Sequence, residues 1–195
     1  MKNFKVPFIL LSLLFVLSAC KNPCKDITCE NGGTCNDGTC VCLDGFKGAN
    51  CETIDLCYNV NCWTNSTCKE GVCTCNVGYE GTQCEVRSSY KFIGNYIANE
   101  SCLISGDNTY NLSISHSASD PVKLYFRYLF KFADDVYANL NANGTSFTIP
   151  EQTVLATGTL GNLTISGSGS RSANGNISLN YVVQGNSCAN TMVWQ

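Results

Sequence analysis

The chain has 195 residues, a formal net charge of -3, 44% hydrophobic residues and 15 cysteines. The slightly acidic balance argues against a nucleic-acid-binding surface, and so many cysteines are rare in cytosolic proteins, where thiols stay reduced. The length allows one or two ordinary domains. We therefore expect a disulfide-bonded protein outside the cytosol, with an odd cysteine that needs its own explanation.

The first twenty residues have the composition of a targeting segment. Lys2 and Lys5 precede an apolar run over residues 6–17, which is too short to span a bilayer, since a helix needs about 20 residues. The run ends in Leu17-Ser18-Ala19-Cys20, which resembles the lipobox of bacterial lipoproteins. The resemblance implies a signal peptide over 1–19, a lipid on Cys20 and attachment to a membrane of the cell envelope, with the outer membrane favoured. An ordinary cleavage site beside a chance cysteine is the alternative.

An internal repeat follows this anchor. Cysteines fall at positions 24, 29, 35, 40, 42 and 51, and each has a counterpart 33 residues later. Both copies read C-x4-C-x5-C-x4-C-x-C-x8-C and keep the related segments Gly45-Phe46-Lys47-Gly48 and Gly78-Tyr79-Glu80-Gly81. A unit of about 30 residues is too small to bury a sufficient core, so we expect disulfides to stabilise it.

This spacing, with Asn31-Gly32-Gly33-Thr34-Cys35, resembles the EGF-like module, and we predict two such modules over residues 24–52 and 53–86. Six cysteines allow fifteen pairings, and the resemblance implies first-to-third, second-to-fourth and fifth-to-sixth. The implied pairs are Cys24–Cys35, Cys29–Cys40, Cys42–Cys51, Cys57–Cys68, Cys62–Cys73 and Cys75–Cys84.

The modules offer little to a metal ion. Cys40-Val41-Cys42 and Cys73-Thr74-Cys75 lack the C-x2-C spacing of zinc sites. Calcium-binding EGF-like modules carry acidic residues before their first cysteine, whereas Lys21-Asn22-Pro23 precedes the first module and only Asp55 precedes the second. Calcium needs six or more oxygen ligands. We predict no metal and no cofactor, and leave weak calcium binding by the second module open.

Two features of the modules bear on partners. Residues 20–86 carry four Lys against nine Asp or Glu, for a net charge of -5, while residues 87–195 carry six of each sign. The acidic surplus is most simply a solvated surface. Trp63 has little core to enter within its module, so it either contacts a partner or packs against the neighbouring module.

Residues 90–195 are predicted to form an all-β domain. They contain only two cysteines and many period-2 alternations, which are typical of half-buried strands. Asn143-Gly144 predicts a hairpin turn, and the Ser/Gly-rich segment 166–172 predicts a hairpin loop. Eight or nine short strands favour an antiparallel barrel or a sandwich, with a weak lipocalin-like resemblance. A Cys102–Cys188 disulfide would clasp the first strand to the last.

The search for catalytic residues finds no convincing set. His116 is the only histidine, and the serines and aspartate after it are too close in sequence to form a triad. Asp134 and Asp135 are adjacent, so they would point to opposite faces of a strand. The sequence therefore predicts no enzyme, and an enzyme of unknown class is kept as a lesser alternative.

The best candidate surface is the odd-numbered face of a strand over 123–131. It places Lys123, Tyr125, Arg127 and Lys131 in one row, which could bind an anionic polysaccharide or an acidic protein. The solvent side of an ordinary strand is the alternative. Together with Trp63, these are the candidate partner-binding residues.

The order of parts predicts a lipid-anchored binding or adhesion protein of the bacterial envelope. Residues 20–23 would be the anchor and linker, and two EGF-like modules would present the β-domain to a protein or polysaccharide. The alternative is a lipocalin-like carrier of a small apolar ligand, which predicts a cavity of a few hundred Å3. Oligomeric state does not follow. The cysteine count divides into one acylated anchor, twelve in two modules and two in the clasp, with no free thiol.

Overall fold

A computed structural model describes residues 22–103, 105–130 and 132–195. The predicted signal peptide, Cys20 and the candidate binding residue Lys131 lie outside the described residues. The chain divides into two compact units, one ending at Asn59 and one running from Val60 to Gln195. Within the described ranges, no helix is both long enough and apolar enough to cross a membrane.

The first unit is built from short antiparallel hairpins held by disulfides. Strands β1 (Thr34–Asn36) and β2 (Thr39–Val41) pair with each other, as do β3 (Phe46–Lys47) and β4 (Thr53–Ile54). The two residues between β1 and β2, Asp37 and Gly38, both have positive φ, as a tight type I′ hairpin requires. Three disulfides join Cys24–Cys35, Cys29–Cys40 and Cys42–Cys51.

The second unit begins with a disulfide segment (residues 60–87) of similar design. Its strands are β5 (Ser66–Lys69), β6 (Val72–Cys75), β7 (Tyr79–Glu80) and β8 (Val86–Arg87), which pair as β5–β6 and β7–β8. Disulfides join Cys62–Cys73 and Cys75–Cys84, and Cys68 is disulfide-bonded as well, as is Cys57 of the first unit. The five disulfides whose two cysteines are given above as pairs match the pairs that the EGF-like resemblance implied.

A 3-10 helix (Ser88–Lys91) connects the disulfide segment to a closed eight-stranded barrel. The barrel confirms the predicted all-β fold and selects a barrel over a sandwich. Every strand pairs antiparallel with its neighbours in sequence, and the last strand closes on the first. The strands are β9 (Gly94–Cys102), β10 (Gly106–His116), β11 (Lys123–Arg127), β12 (Val136–Leu140), β13 (Ser146–Leu155), β14 (Asn162–Arg171), β15 (Ile177–Val183) and β16 (Asn186–Trp194).

Period-2 alternation places the apolar side chains inside the barrel. In β15, Ile177, Leu179, Tyr181 and Val183 are buried and the residues between them are exposed. Twenty-four mainly aliphatic and aromatic residues from all eight strands and their loops form one buried core. Side chains therefore fill most of the interior, as the small circumference of eight strands favours.

The clasp joins the strands that close the barrel. Cys102 and Cys188 lie opposite each other in the β9–β16 pair, both are buried, and a disulfide joins them. The prediction that the first and last strands are neighbours is confirmed.

The barrel loops fall at two ends because the strands run alternately up and down. The end that contains the clasp carries the loops that follow β9, β11, β13 and β15, and we call it the clasp end. The opposite end carries the loops 117–122, 141–145 and 172–176, and it receives the chain from the 3-10 helix. We call this the docked end, because the disulfide segment packs there.

Charged and close contacts hold the disulfide segment at the docked end. The Arg87 guanidinium donates to the carbonyls of Ser117 and Ala118 at 3.0 and 3.1 Å. The Lys91 ammonium pairs with the Glu80 carboxylate at 2.6 Å. Gly78 has a φ of +92° and lies so close to the loop 117–122 that an added Cβ would stand 2.9 Å from Val122. The second unit is thus one compact body.

Two predictions about strand boundaries are wrong. The strand predicted over 123–131 ends at Arg127, and beyond it Leu129 is buried while Tyr128 is 62% exposed. The alternation breaks because Tyr128 and Phe130 adopt positive φ.

The Ser/Gly-rich segment 166–172 is not a hairpin loop, because it belongs almost entirely to β14. Gly167 and Gly169 face inward there, where Tyr181 and Phe147 leave no room for a Cβ. Glycine is required at these two positions by close packing and not by a turn.

Candidate functional site

The outward face of β11 carries Lys123, Tyr125 and Arg127, while the intervening residues are buried. The Lys123 ammonium lies 5.0 Å from the centroid of the Tyr137 ring. The Arg127 guanidinium donates to the Asp135 carboxylate at 3.2 and 3.3 Å, and these bonds raise its pKa above the ordinary value. Each cation therefore has a partner on the barrel wall, which weakens the attraction that it offers to an external anion.

Trp63 lies on the disulfide segment and is 53% exposed to solvent. Its backbone N–H donates to the Gln83 carbonyl at 2.9 Å, and its own carbonyl accepts from the Ser66 hydroxyl at 2.7 Å. The backbone is therefore held in place, while half of the residue stays open to solvent, as a contact residue requires.

His116 lies at the docked end and is half-buried. Its ring stands edge-on to Tyr90 with 5.3 Å between centroids, and its Nδ1 is 3.0 Å from the Ser117 carbonyl. These contacts account for its position as part of the packing there. Asp134 and Asp135 engage different groups, because Asp134 accepts the Leu155 N–H at 3.2 Å. Among the described residues, no group of three or more His, Cys, Asp or Glu side chains could hold a metal ion.

Four polar side chains form a hydrogen-bonded cluster inside the clasp end, which the sequence pattern alone did not indicate. Glu100 faces inward from β9 and is only 4% exposed. The hydroxyls of Tyr110 (2.8 Å) and Tyr181 both donate to its Oε2. The Asn190 amide donates to the Tyr110 hydroxyl at 2.8 Å. We call Glu100, Tyr110, Tyr181 and Asn190 the Glu100 cluster.

The strand register explains why these residues meet. Glu100 is two residues from Cys102, so it shares the inward face that the clasp requires. Asn190 lies directly opposite Glu100 in the β9–β16 pair. Tyr110 and Tyr181 enter from the flanking strands β10 and β15, so the cluster spans the four strands around the closure.

Burial controls the ionisation of the two tyrosines. Burial raises the pKa of the Tyr110 hydroxyl well above its usual range, and the nearby Glu100 charge raises it further. The pKa of Tyr181 is also raised strongly, first by burial, then by Tyr110 and by its bond to Glu100. Both hydroxyls therefore remain protonated donors at neutral pH.

Hydrogen-bonding capacity in the cluster is incomplete on the acceptor side. Among the described residues, two hydroxyls donate to Glu100 Oε2, whereas Oε1 accepts only the Ser105 hydroxyl at a long 3.4 Å. Asn190 is 3% exposed and its Oδ1 has no donor. A buried polar atom without a partner costs about 1–3 kcal/mol, so this oxygen weakens the network rather than completing it.

A cavity of about 200 Å3 reaches this carboxylate. Its lining consists of Glu100, Asn108, Thr109, Tyr110 and Phe130. It combines two aromatic rings with a few polar groups, which is the usual composition of a ligand site. It is smaller than the cavity of a few hundred Å3 expected for a carrier of an apolar ligand.

Strained backbone occurs at Phe130, which lines the cavity, and at Tyr128, two residues before it. Tyr128 and Phe130 have φ of 69° and 54°, values that cost bulky residues roughly 1–3 kcal/mol each. The Phe130 N–H donates to the Tyr110 hydroxyl at 3.1 Å, which ties this loop to the Glu100 cluster. Such strain is found most often at ligand sites and switch regions.

A second depression of about 630 Å3 lies on the outer wall of the barrel near the same end. Small side chains form it, including Ser101, Ser166, Ser168 and Ala189. It is shallow and none of the described residues that line it is charged, so it offers less specificity than the Glu100 cavity.

Comparisons with known proteins identify no family but find similarity to a solved structure. No family model matches the chain. A solved structure described as a redesigned beta barrel is similar, with 11% sequence identity and a TM-score of 0.41, covering 57% of this chain and 97% of that chain.

Proposed function

We propose that this protein is a lipid-anchored binding protein of the bacterial envelope that holds a small ligand at the clasp end of its barrel. An eight-stranded barrel is compatible with a binding or carrier role. The observation that supports this role best is that the disulfide segment and the cavity lie at opposite ends of the barrel. The disulfide segment packs on the docked end through Arg87 and Glu80, and the cavity with its buried carboxylate lies at the clasp end.

The anchoring part of the proposal comes from the lipobox resemblance at Cys20 and the disulfide-rich chain. The Cys20→Ser variant should move the protein from the membrane fraction to the soluble fraction. Unchanged membrane association of that variant would refute the lipid anchor and leave the binding role intact.

The binding part is tested by a thermal-shift screen of the full chain against amines, amino acids, sugars, carboxylates and fatty acids. A ligand at one hundred times its Kd stabilises the native state by about 2.7 kcal/mol, so one compound class should raise Tm. The shift should disappear in Glu100→Gln and persist in Glu151→Gln, whose residue is exposed on β13. If no class raises Tm, the small-ligand role is refuted.

A macromolecular partner is the second candidate, and the half-exposed Trp63 favours it. Trp63→Ala should then weaken binding of the full chain to purified envelope polysaccharide or protein, while Trp194→Ala, an equally exposed tryptophan on the barrel, should not. Equal binding by both variants would exclude Trp63 from the contact.

A further inference from the structure

The charge on Glu100 sets the chemistry of the clasp-end cavity. The three ion pairs among the described residues join Lys47–Asp55, Lys91–Glu80 and Arg127–Asp135, and none includes Glu100. Its neighbours in the cluster are neutral hydroxyls and an amide. A buried carboxylate is stable when it is hydrogen-bonded and paired with a cation. Glu100 has the hydrogen bonds, but no described residue supplies the cation.

Among the charged and polar atoms of the Glu100 carboxylate, the one with open capacity is an acceptor, Oε1. A carboxylate can accept about four hydrogen bonds, and Glu100 receives three, of which the one to Oε1 is long. Asn190 Oδ1 receives none from the described residues, but Asn190 does not line the cavity, so the acceptor that matters for a ligand is that of Glu100. Because Tyr110 and Tyr181 already use their hydrogens on Glu100, neither can turn to a new acceptor without breaking that bond. The complementary ligand is therefore a donor and not an acceptor.

The walls and the volume limit the rest of the ligand. The rings of Tyr110 and Phe130 line the cavity, and aromatic faces attract cations as well as alkyl groups. A volume of about 200 Å3 corresponds to about six or seven water molecules at about 30 Å3 each. A short alkyl chain with one charged head fits these limits, whereas a fatty acid or an oligosaccharide does not.

We propose that the clasp-end cavity binds a short primary alkylammonium ion, whose NH3+ group donates to Glu100 Oε1 and whose chain lies against Tyr110 and Phe130. This inference rests on the proposed small-ligand role and names its ligand class. An ammonium group supplies three donors and the missing positive charge at once. A carboxylate ligand would be repelled by Glu100, and a quaternary ammonium would supply charge without donors.

Calorimetric titration of the full chain with four probes of similar size tests the proposal. The probes are n-butylammonium, its neutral counterpart 1-butanol, the donor-free cation tetramethylammonium and the anion butyrate. We expect n-butylammonium to bind at least tenfold more tightly than each of the other three. Equal binding of 1-butanol would overturn the role of charge, and equal binding of tetramethylammonium would overturn the role of the donors.

Variants assign the binding to Glu100. Glu100→Gln keeps the shape and removes the charge, so n-butylammonium affinity should fall at least tenfold, while the exposed Glu151→Gln should bind as the wild type does. Retained affinity in Glu100→Gln would overturn the site. The probe series on the wild type needs no variant, so it stays decisive even if Glu100→Gln fails to fold.

The outcomes also separate this inference from the proposed function. Binding of butyrate or 1-butanol that is lost on disruption of the Glu100 cluster would keep the small-ligand role and overturn the ammonium ligand. Absence of binding by all four probes, together with a negative thermal-shift screen, would overturn both.

Discussion

Glu100 and Asn190 lie directly opposite each other in the strand pair that closes the barrel, and both are almost completely buried. The closure of this barrel thus has two components side by side. One is covalent, the disulfide between Cys102 and Cys188, and the other is a polar network that shares the carboxylate of Glu100. The first component favours stability, and the second places a buried carboxylate beside the clasp-end cavity.

The disulfide should contribute substantially to barrel stability. It closes a loop with a sequence separation of 86, and replacing both cysteines by alanine should lower the free energy of unfolding by about 2–4 kcal/mol. Urea denaturation of the full chain, followed by tryptophan fluorescence, measures the change. Cys20→Ser is the control and should leave the value unchanged. An equal unfolding midpoint in the double variant would show that the β9–β16 pairing holds without the clasp.

Tyr181 should stabilise the barrel through its bond to Glu100. Tyr181→Phe removes one hydroxyl donor from a buried carboxylate, which should cost about 1.5–3 kcal/mol of unfolding free energy. Tyr125→Phe is the matched control, because Tyr125 faces outward from β11, and it should change the value by less than about 0.5 kcal/mol. Equal effects of the two variants would contradict the buried network.

Stability should fall in alkaline solution because of the buried tyrosines. Burial raises the pKa of Tyr96 to about 12, and it raises the pKa of Tyr110 and Tyr181 as well. The native state then holds protons that the unfolded state, with a tyrosine pKa of about 10, has released. The contribution of these tyrosines to the free energy of unfolding is fully present below about pH 10. It is lost as pH rises through their pKa in the folded state, at up to about 1.4 kcal/mol per pH unit for each group.

Absorbance titration at the tyrosinate band measures this effect. The exposed tyrosines should ionise near pH 10, and a separate fraction should ionise only at pH 12 or above, or on unfolding. A single transition near pH 10 for all tyrosines of the folded chain would contradict the burial of these three.

The inward glycines of β14 should be intolerant of larger side chains. Gly169→Ala places a Cβ against the Phe147 ring and the Ser178 carbonyl, so we expect a loss of about 1–3 kcal/mol of unfolding free energy. Ser168→Ala in the same strand points outward and should have little effect. If the glycine variant is as stable as the serine variant, Gly169 does not face the core.

Arg87 should hold the disulfide segment on the docked end. Arg87→Ala removes two hydrogen bonds to Ser117 and Ala118, which should cost about 1 kcal/mol and raise local opening roughly fivefold. Faster amide hydrogen exchange in residues 76–88 would report this opening. Arg127→Ala removes a surface ion pair instead and should leave that exchange unchanged. Equal protection in both variants would contradict the docking role.

The strand alternation and the cysteines predicted an all-β barrel or sandwich with a Cys102–Cys188 clasp, and the structure selects the closed barrel. The end of β11 at Arg127 was not predicted, because Tyr128 and Phe130 have good strand propensity and their positive φ depends on the loop that they enter. The Ser/Gly segment was interpreted as a loop because its composition is typical of turns, whereas its glycines fit around Phe147 and Tyr181.

The Glu100 cluster was missed for a related reason. A glutamate among Asn99 and Ser101 suggests a solvated strand face. The signal that could have found it is parity: if Cys102 faces inward to meet Cys188, Glu100 must face inward too. Its partners Tyr110 and Tyr181 come from strands far apart in sequence, so only the closed topology brings them together.

The most direct test of the clasp-end binding site is to map n-butylammonium on the full chain by the chemical-shift changes of its backbone amides. We predict changes in residues 98–110, 128–133 and 181–190, and none in residues 116–122 or 141–145 at the docked end. Changes at the docked end, or no changes at millimolar ligand, would contradict the account.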